Sequence, residues 1–330
     1  MRAAVFHAVG DIRIEPREVP EPGKGEVLVR VAACGICGTD RHILHGEFDV
    51  VPPIIIGHEY SGEITAVGPD VTDFRVGERV AMDPNMPCGV CRPCQRGQVH
   101  LCDNLTALGV NYDGGFAEYS VVPTAQCYKL PEHVSLLEGS LAEPLACCLR
   151  GIQQAHIQPG DRVAVIGGGA IGQILAQLAR LTGAGKLVLS DLIEERRSMA
   201  EQLGYVDETV DPHTSDALLG WADVVLEAVG SVTTTQQALQ WAAPGATIVW
   251  FGVTPPGDMA AIEPNLVFRK ELTIRGARIN PFTHTRAIAM LDSGRLNLEP
   301  LITKRISLDE LPGFLAAAPG KDTKTVVIPA

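Results

Sequence analysis

Residues 162–191 read RVAVIGGGAIGQILAQLARLTGAGKLVLSD. A strand-like run, RVAVI, leads into Gly167, Gly169 and Gly172, spaced G-x-G-x-x-G. A helix-patterned segment follows, and a second apolar run ends on Asp191, 19 residues after Gly172. Strand, glycine turn, helix and terminal acid together make the dinucleotide fingerprint; a glycine triplet alone would not. The first glycine permits a tight turn, the second lets the backbone approach a pyrophosphate, and the third lets helix and strand pack closely. The helix N-terminus stabilises phosphate charge. Asp191 suits the ribose hydroxyls of NAD and repels the extra phosphate of NADP, so NAD is the expected cofactor. Glu194 and Glu195 add negative charge, while Arg196 and Arg197 are available to a phosphate and keep NADP as the alternative.

Downstream, ADVVLEAVG (222–230), ATIVWFG (246–252) and ELTIRGA (271–277) are further apolar runs separated by helical segments. Such runs fit parallel strands covered on both faces, and the region reads as a doubly wound α/β domain. Upstream, roughly the first 120 residues are short segments broken by Gly and Pro, as in a β-rich domain. EVLVRVAAC (26–34), EYSGEITAVGPDV from Glu59, GERVAMDP from Gly77 and FAEYSVVP (116–123) are its strands. After Ile279 come one amphipathic helix, TRAIAMLDSG, the stretch PLITKRISLDELPG and a last strand, TKTVVIP. This tail shares the β character of the N-terminal part and is expected to return to it.

A chain of 330 residues is expected to form two domains, and 46% apolar residues suffice for their cores. The net charge of −12 disfavours nucleic acid and anionic membrane as partners. MRAAVFHAVGDIRIEP lacks the apolar run of a signal peptide, and no stretch reaches the ~18 apolar residues of a membrane helix. A soluble, cytoplasmic protein is expected. In that compartment nine cysteines indicate metal ligation or buried thiols rather than disulfides.

Two metal patterns stand out. Cys88, Cys91, Cys94 and Cys102 are spaced C-x2-C-x2-C-x7-C. Four thiolates saturate tetrahedral zinc, which predicts a closed structural site. An iron–sulfur cluster is the rival occupant. Cys37, followed 21 residues later by His58 and Glu59, offers sulfur, nitrogen and oxygen. Three protein ligands leave a position open, as catalytic zinc requires.

With CGICGTDRH, GHEYSGEITAVGPDV, the four-cysteine stretch, GGFAEY, AEPLACC and GGGAIG followed by Asp191, the chain resembles the zinc-dependent medium-chain dehydrogenases over essentially its whole length. The resemblance implies a GroES-like β-rich catalytic domain plus a Rossmann doubly wound parallel-sheet domain. The first would comprise residues 1–145 and 280–330, with a structural zinc lobe at about 85–105, and the second residues 146–279. It implies two zinc ions per chain and NAD. Cys37 and His58 become catalytic zinc ligands, with Glu59 or Glu143 as the carboxylate. Glu143 stands where the alcohol-active branch places cysteine, as in the polyol, glucose and threonine branches. Cofactor contacts are expected from Gly167, Gly169, Ala170, Ile171, Gly172, Asp191, Arg196, Val229, Phe251 and Val253. Arg196 would cover the adenine. Cys34, Cys127, Cys147 and Cys148 are expected as small core residues.

The implied chemistry is oxidation of a secondary hydroxyl, with zinc as Lewis acid. Thr39 would take the proton and pass it by way of the cofactor ribose to His42, since hydroxyl and imidazole both donate and accept. Glu143 and the segment from Glu271 point to a polyol or sugar substrate. L-threonine 3-dehydrogenase and a secondary-alcohol dehydrogenase are the enzymatic alternatives, and a zinc-stabilised NAD-binding redox sensor the non-enzymatic one. A homodimer or homotetramer is implied, with ELTIRGA as the edge strand available for pairing.

Overall fold

A computed structural model describes residues 1–329. The chain divides into two compact units. One comprises Met1–Ala146, Pro281–Gly320 and the chain from Lys324 onward; the other comprises Cys147–Asn280 and Lys321–Thr323. The helix Ala142–Ala155 carries the boundary.

The second unit is built on the fingerprint. Its six strands are all parallel, in the spatial order Glu208–Val210, Lys186–Ser190, Arg162–Ile166, Ala222–Glu227, Ala242–Trp250, Thr273–Gly276. Numbered along the chain this is 3-2-1-4-5-6, the doubly wound dinucleotide order. The central strand Arg162–Ile166 is buried beyond its first residue, which explains why it carries no polar alternation. The helix Ala170–Thr182 turns nine residues inward and ends at Gly183, whose left-handed φ of 118° closes the last turn. Thr273–Gly276 lies at the sheet edge.

The first unit is β-rich. Its main sheet runs Cys127–Lys129, Arg79–Met82, Glu59–Val67, Glu26–Gly35, Lys324–Ile328, Ile302–Ser307, and Tyr119–Pro123 also pairs with Glu26–Gly35. The tail therefore joins the N-terminal strands: Val326 sits opposite Gly35 and Val327 opposite Cys34. Val29, Val31, Ile56, Tyr60, Ile64, Phe116 and Val327 share its core. A three-stranded sheet of Asp11–Pro16, Arg2–Ala8 and Ile54–Ile55 and a two-stranded one of Asn85–Met86 and Thr106–Ala107 complete the unit.

Several elements depart from the sequence reading. The strands Arg2–Ala8 and Asp11–Pro16 occupy a stretch read only for its lack of a leader. The strand expected from residue 246 begins at Ala242, and that expected from residue 116 begins at Tyr119. The tail contains two helices, His284–Asp292 and the short Leu311–Ala316, where one was expected. None of the helices among the described residues is long and apolar enough to cross a membrane.

Candidate metal centres and cofactor turn

Strand register assembles the first cluster. Gly35 pairs with Glu59, so His58 and Glu59 enter their strand beside the point where Glu26–Gly35 leaves its own. Two residues on, Cys37 caps the helix Gly38–Leu44, and its N–H donates to Oδ2 of Asp40 at 2.8 Å. One ligand atom from each of Cys37, His58 and Glu59 lies within 4.8 Å of the other two. His58 and Glu59 are buried and Cys37 is half-buried. The GGFAEY motif braces this corner, because Gly115 and Phe116 donate backbone hydrogen bonds to the carbonyls of Gly57 and Ile56.

The cluster's electrostatics call for a cation. Burial opposes charge on His58, but the Cys37 thiolate and Asp40 outweigh it and hold the imidazole well above its ordinary value. Nδ1 of His58 and Oδ1 of Asp40 are buried 3.6 Å apart, and neither has a hydrogen-bond partner. Buried polar groups without partners are costly. A thiolate, an imidazole and a carboxylate around such orphaned atoms fit zinc.

Sequence reasoning gave no role to two residues here. Asp40, fully buried, orders Cys37 and faces His58. Lys324 is also buried, and its ammonium binds Oε2 of Glu59 and the carbonyl of Ile36, the latter at 3.0 Å. Burial works against the ammonium, but Glu59, then Cys37 and Asp40, more than offset it and raise its proton affinity. The available signal was a lysine opening the strand-like run KTVVI at the chain's end.

The helix Gly38–Leu44 presents Thr39 and His42 one turn apart, hence on one face. The Thr39 hydroxyl lies 3.7 Å from the Cys37 sulfur. His42 is half-buried, with Nδ1 on the Glu47 carboxylate. Glu143 is buried in the first turn of Ala142–Ala155 and is outside the Cys37–His58–Glu59 group.

The sulfurs of Cys88, Cys91, Cys94 and Cys102 likewise lie within 4.8 Å of one another. The Cys91–Cys102 separation of 3.8 Å matches the edge of a tetrahedron with Zn–S bonds of ~2.3 Å. Backbone N–H groups of Cys88 and Asn104 donate to the Cys102 sulfur at 3.3 and 3.4 Å, as thiolates require. Backbone N–H groups of Val90 and Cys91 pull the Cys88 thiol down to about 6, whereas burial pushes Cys94 up to about 12. His100 is not among the grouped ligands. Cys34, Cys127 and Cys148 are buried and Cys147 is half-buried, and none of the nine cysteines forms a disulfide.

In the second unit each fingerprint glycine has a distinct physical reason. Gly167 adopts φ 102°. A Cβ on Gly172 would lie 1.7 Å from the Gly167 carbonyl oxygen, so helix and strand could not close. A Cβ on Gly169 would meet nothing within 4 Å. That open space, at a helix N-terminus lacking a side-chain cap, fits a pyrophosphate. Ala170 and Ile171 begin the same helix.

Oδ2 of Asp191 accepts from the Gly168 N–H at 2.6 Å, and Oδ1 from the Ile193 N–H at 2.7 Å. Arg196 turns toward this carboxylate at 3.7 Å and donates to the Asp322 carbonyl at 2.9 Å. Val229 stands over Gly167, Val253 lies against Gly230, and Phe251 packs on the backbone at Gly151. Glu227, a further residue missed from sequence, is buried at its strand's end. One of its oxygens accepts from the N–H groups of Val229 and Gly230 and the Thr234 hydroxyl, at 2.8–2.9 Å, fixing that loop.

A chain that combines a doubly wound dinucleotide domain with a β-rich unit carrying one closed and one open ligand set defines a metal- and nicotinamide-dependent oxidoreductase. Residues 23–132 match the alcohol dehydrogenase GroES-like domain family and residues 170–293 the zinc-binding dehydrogenase family. The chain is 34% identical to D-altritol 5-dehydrogenase of Agrobacterium fabrum, over 97% of this chain and 96% of that protein. It is 32% identical to D-arabinitol dehydrogenase 1 of Uromyces fabae, over 94% and 91%. A protein of Sinorhizobium meliloti 1021 solved with NADP superimposes with a TM-score of 0.96 at 42% identity, over 99% of each chain. The chain belongs to the zinc-dependent medium-chain dehydrogenase family, in its polyol dehydrogenase branch. It is a zinc-containing, NAD(P)-dependent alcohol dehydrogenase.

Proposed function

We propose that the protein oxidises a secondary hydroxyl of a polyol or sugar to the ketone, with NAD⁺ accepting the hydride. The observation that carries this reading is the convergence of Cys37, His58 and Glu59 on one buried point. Polyol dehydrogenases among the relatives supply the substrate class. Met1–Ala146 with the chain's tail forms the catalytic domain, and Cys147–Asn280 the cofactor domain.

Zinc held by Cys37, His58 and Glu59 would supply Lewis acidity toward the hydroxyl. Glu59 rather than Glu143 is the carboxylate ligand in this reading, since only Glu59 joins the group. Asp40 fixes the backbone at Cys37 and faces His58, orienting both. Thr39, beside Cys37, accepts the substrate proton by hydrogen bond. His42, on the same helix face and bonded to Glu47, releases it to solvent. Gly167, Gly169 and Gly172 seat the pyrophosphate, and Asp191 receives the ribose. Zinc at Cys88, Cys91, Cys94 and Cys102 is structural. The protein acts in the cytoplasm as a homodimer or homotetramer.

The test is a reduction screen with NAD⁺ and NADP⁺ across pentitols, hexitols, L-threonine and simple secondary alcohols, with zinc measured on the same sample. Polyol turnover preferring NAD⁺, with about two zinc ions per chain, is expected. Turnover of L-threonine alone would overturn the substrate. A preference for NADP⁺ would overturn the role of Asp191, and the NADP in the Sinorhizobium meliloti protein makes that arm informative.

A further inference from the structure

Lys324 lies buried against Glu59 at the open ligand cluster. A buried ammonium is rare unless paired, and Lys324 is paired twice. Its partners are the Glu59 carboxylate and the carbonyl of Ile36, the residue before Cys37. The lysine thus touches the strand that delivers one ligand and the segment that delivers another. Register enforces this, since Val326, two residues after Lys324, pairs with Gly35, which also pairs with Glu59. Gly35 leaves the necessary room: a Cβ there would lie 2.3 Å from Oε2 of Glu59 and 2.9 Å from Cε of Lys324.

The charges support a role beyond packing. Cys37 as thiolate, Glu59 and Asp40 are three anions gathered at one buried corner. A divalent ion leaves one negative charge over, and Lys324 cancels it. The same bond engages one of the two oxygens through which Glu59 could donate to a metal. A carboxylate shared with an ammonium is a weaker donor than a free one, so the ion it helps hold stays more electron-poor.

We propose that Lys324 is a positioning residue for the catalytic metal, holding Glu59 so that it donates weakly and the ion keeps its Lewis acidity. This rests on the reading of Cys37, His58 and Glu59 as the catalytic ligands. Cobalt is the probe, because its visible bands report the ligand field independently of turnover.

Full-length wild type, Cys37→Ser, Glu59→Gln, Lys324→Met, Lys324→Arg and the Glu59→Gln/Lys324→Met pair are prepared with cobalt at the Cys37–His58–Glu59 site and zinc kept at the four-cysteine site, so that the visible bands report the open site alone. Lys324→Met is expected to keep its cobalt, shift the visible bands and lower kcat by about 10-fold or more with little change in polyol KM. Lys324→Arg should restore the wild-type bands and most of kcat. In the Glu59→Gln background the same lysine change should leave the bands where Glu59→Gln put them.

Wild-type bands in Lys324→Met, with or without a lower Tm, would overturn the proposal. So would a band shift equally large without Glu59. Should Lys324→Met not fold, Lys324→Gln keeps a donor but not the charge, and the same outcomes decide. Retention of the thiolate–cobalt band in Cys37→Ser would instead overturn the ligand reading, and the proposal with it.

Discussion

All four sulfurs of the cysteine lobe come from residues 88–102, whereas the Cys37–His58–Glu59 cluster draws on a helix cap, a strand start and, through Lys324, the last strand of the chain. Both lie in one unit and both present thiolate ligands. Above the strand pair Asn85–Met86 and Thr106–Ala107 the lobe has only the short helix Arg92–Gln95 and the turn Val99–Leu101, so in the proposed reading a bound ion would fix its shape. The open cluster is the reverse: sheet register holds its carboxylate and imidazole whether or not a metal is present. In the proposed reading the metal of the closed site would serve folding, and the open site is prebuilt so that its metal can serve chemistry.

Removing one ligand from each should separate these roles. Cys37→Ser is expected to cut turnover at least ~10³-fold, because Lewis-acid stabilisation is worth several kcal/mol. Zinc should fall from about two to about one per chain while Tm changes little. Cys94→Ser should lose the other zinc, expose residues 88–102 to proteolysis and lower Tm, with turnover of the folded fraction reduced only a few-fold. Metal analysis, melting curves and steady-state kinetics on the two variants are sufficient. Loss of turnover in Cys94→Ser at unchanged Tm would erase the distinction.

The same contrast governs what could be read in advance. The lobe was legible because its four ligands are contiguous and their number closes a tetrahedron. The fingerprint was legible because strand, glycine turn, helix and Asp191 occupy 30 consecutive residues. The open cluster was legible only in part. Its carboxylate was ambiguous between Glu59 and Glu143, since sequence spacing does not say which of them lies near Cys37; the pairing of Gly35 with Glu59 brings Glu59 into the group with Cys37 and His58, and its role as ligand is the proposal made above. Lys324 was invisible because it is 265 residues from its partner and reaches it only through strand order. Arg2–Ala8 was passed over because its run RAAVFHA lacks polar–apolar alternation, with four consecutive buried residues, and its place in the sheet comes from pairing.

Within the open site, the proposed relay residues Thr39 and His42 should fail differently from the proposed ligands. Thr39→Val removes the hydroxyl beside Cys37 at nearly constant shape, and about 100-fold in kcat should be lost with both zinc ions retained. Thr39→Ser should recover most of it. Full activity in Thr39→Val would leave the proton without its first acceptor and would break the proposed division between ligands and relay.

The smallest effect carries the comparison into the cofactor domain, where Gly172 is closed and Gly169 open. At Gly172 an added methyl would lie 1.7 Å from a backbone carbonyl, so Gly172→Ala must shift helix against strand and destabilise by about 1–3 kcal/mol or more. At Gly169 the backbone already has φ −67° and the methyl meets nothing within 4 Å. Gly169→Ala should therefore fold as wild type, with Tm unchanged or slightly raised by the loss of backbone freedom in the unfolded chain. The methyl would stand where the pyrophosphate must approach the backbone, and NAD⁺ affinity should fall by about 10-fold in a direct titration, at roughly 1.4 kcal/mol per decade. Unaltered NAD⁺ affinity in a stable Gly169→Ala protein would mean that the open space is not the phosphate seat, and the glycine turn would then be explained by packing alone.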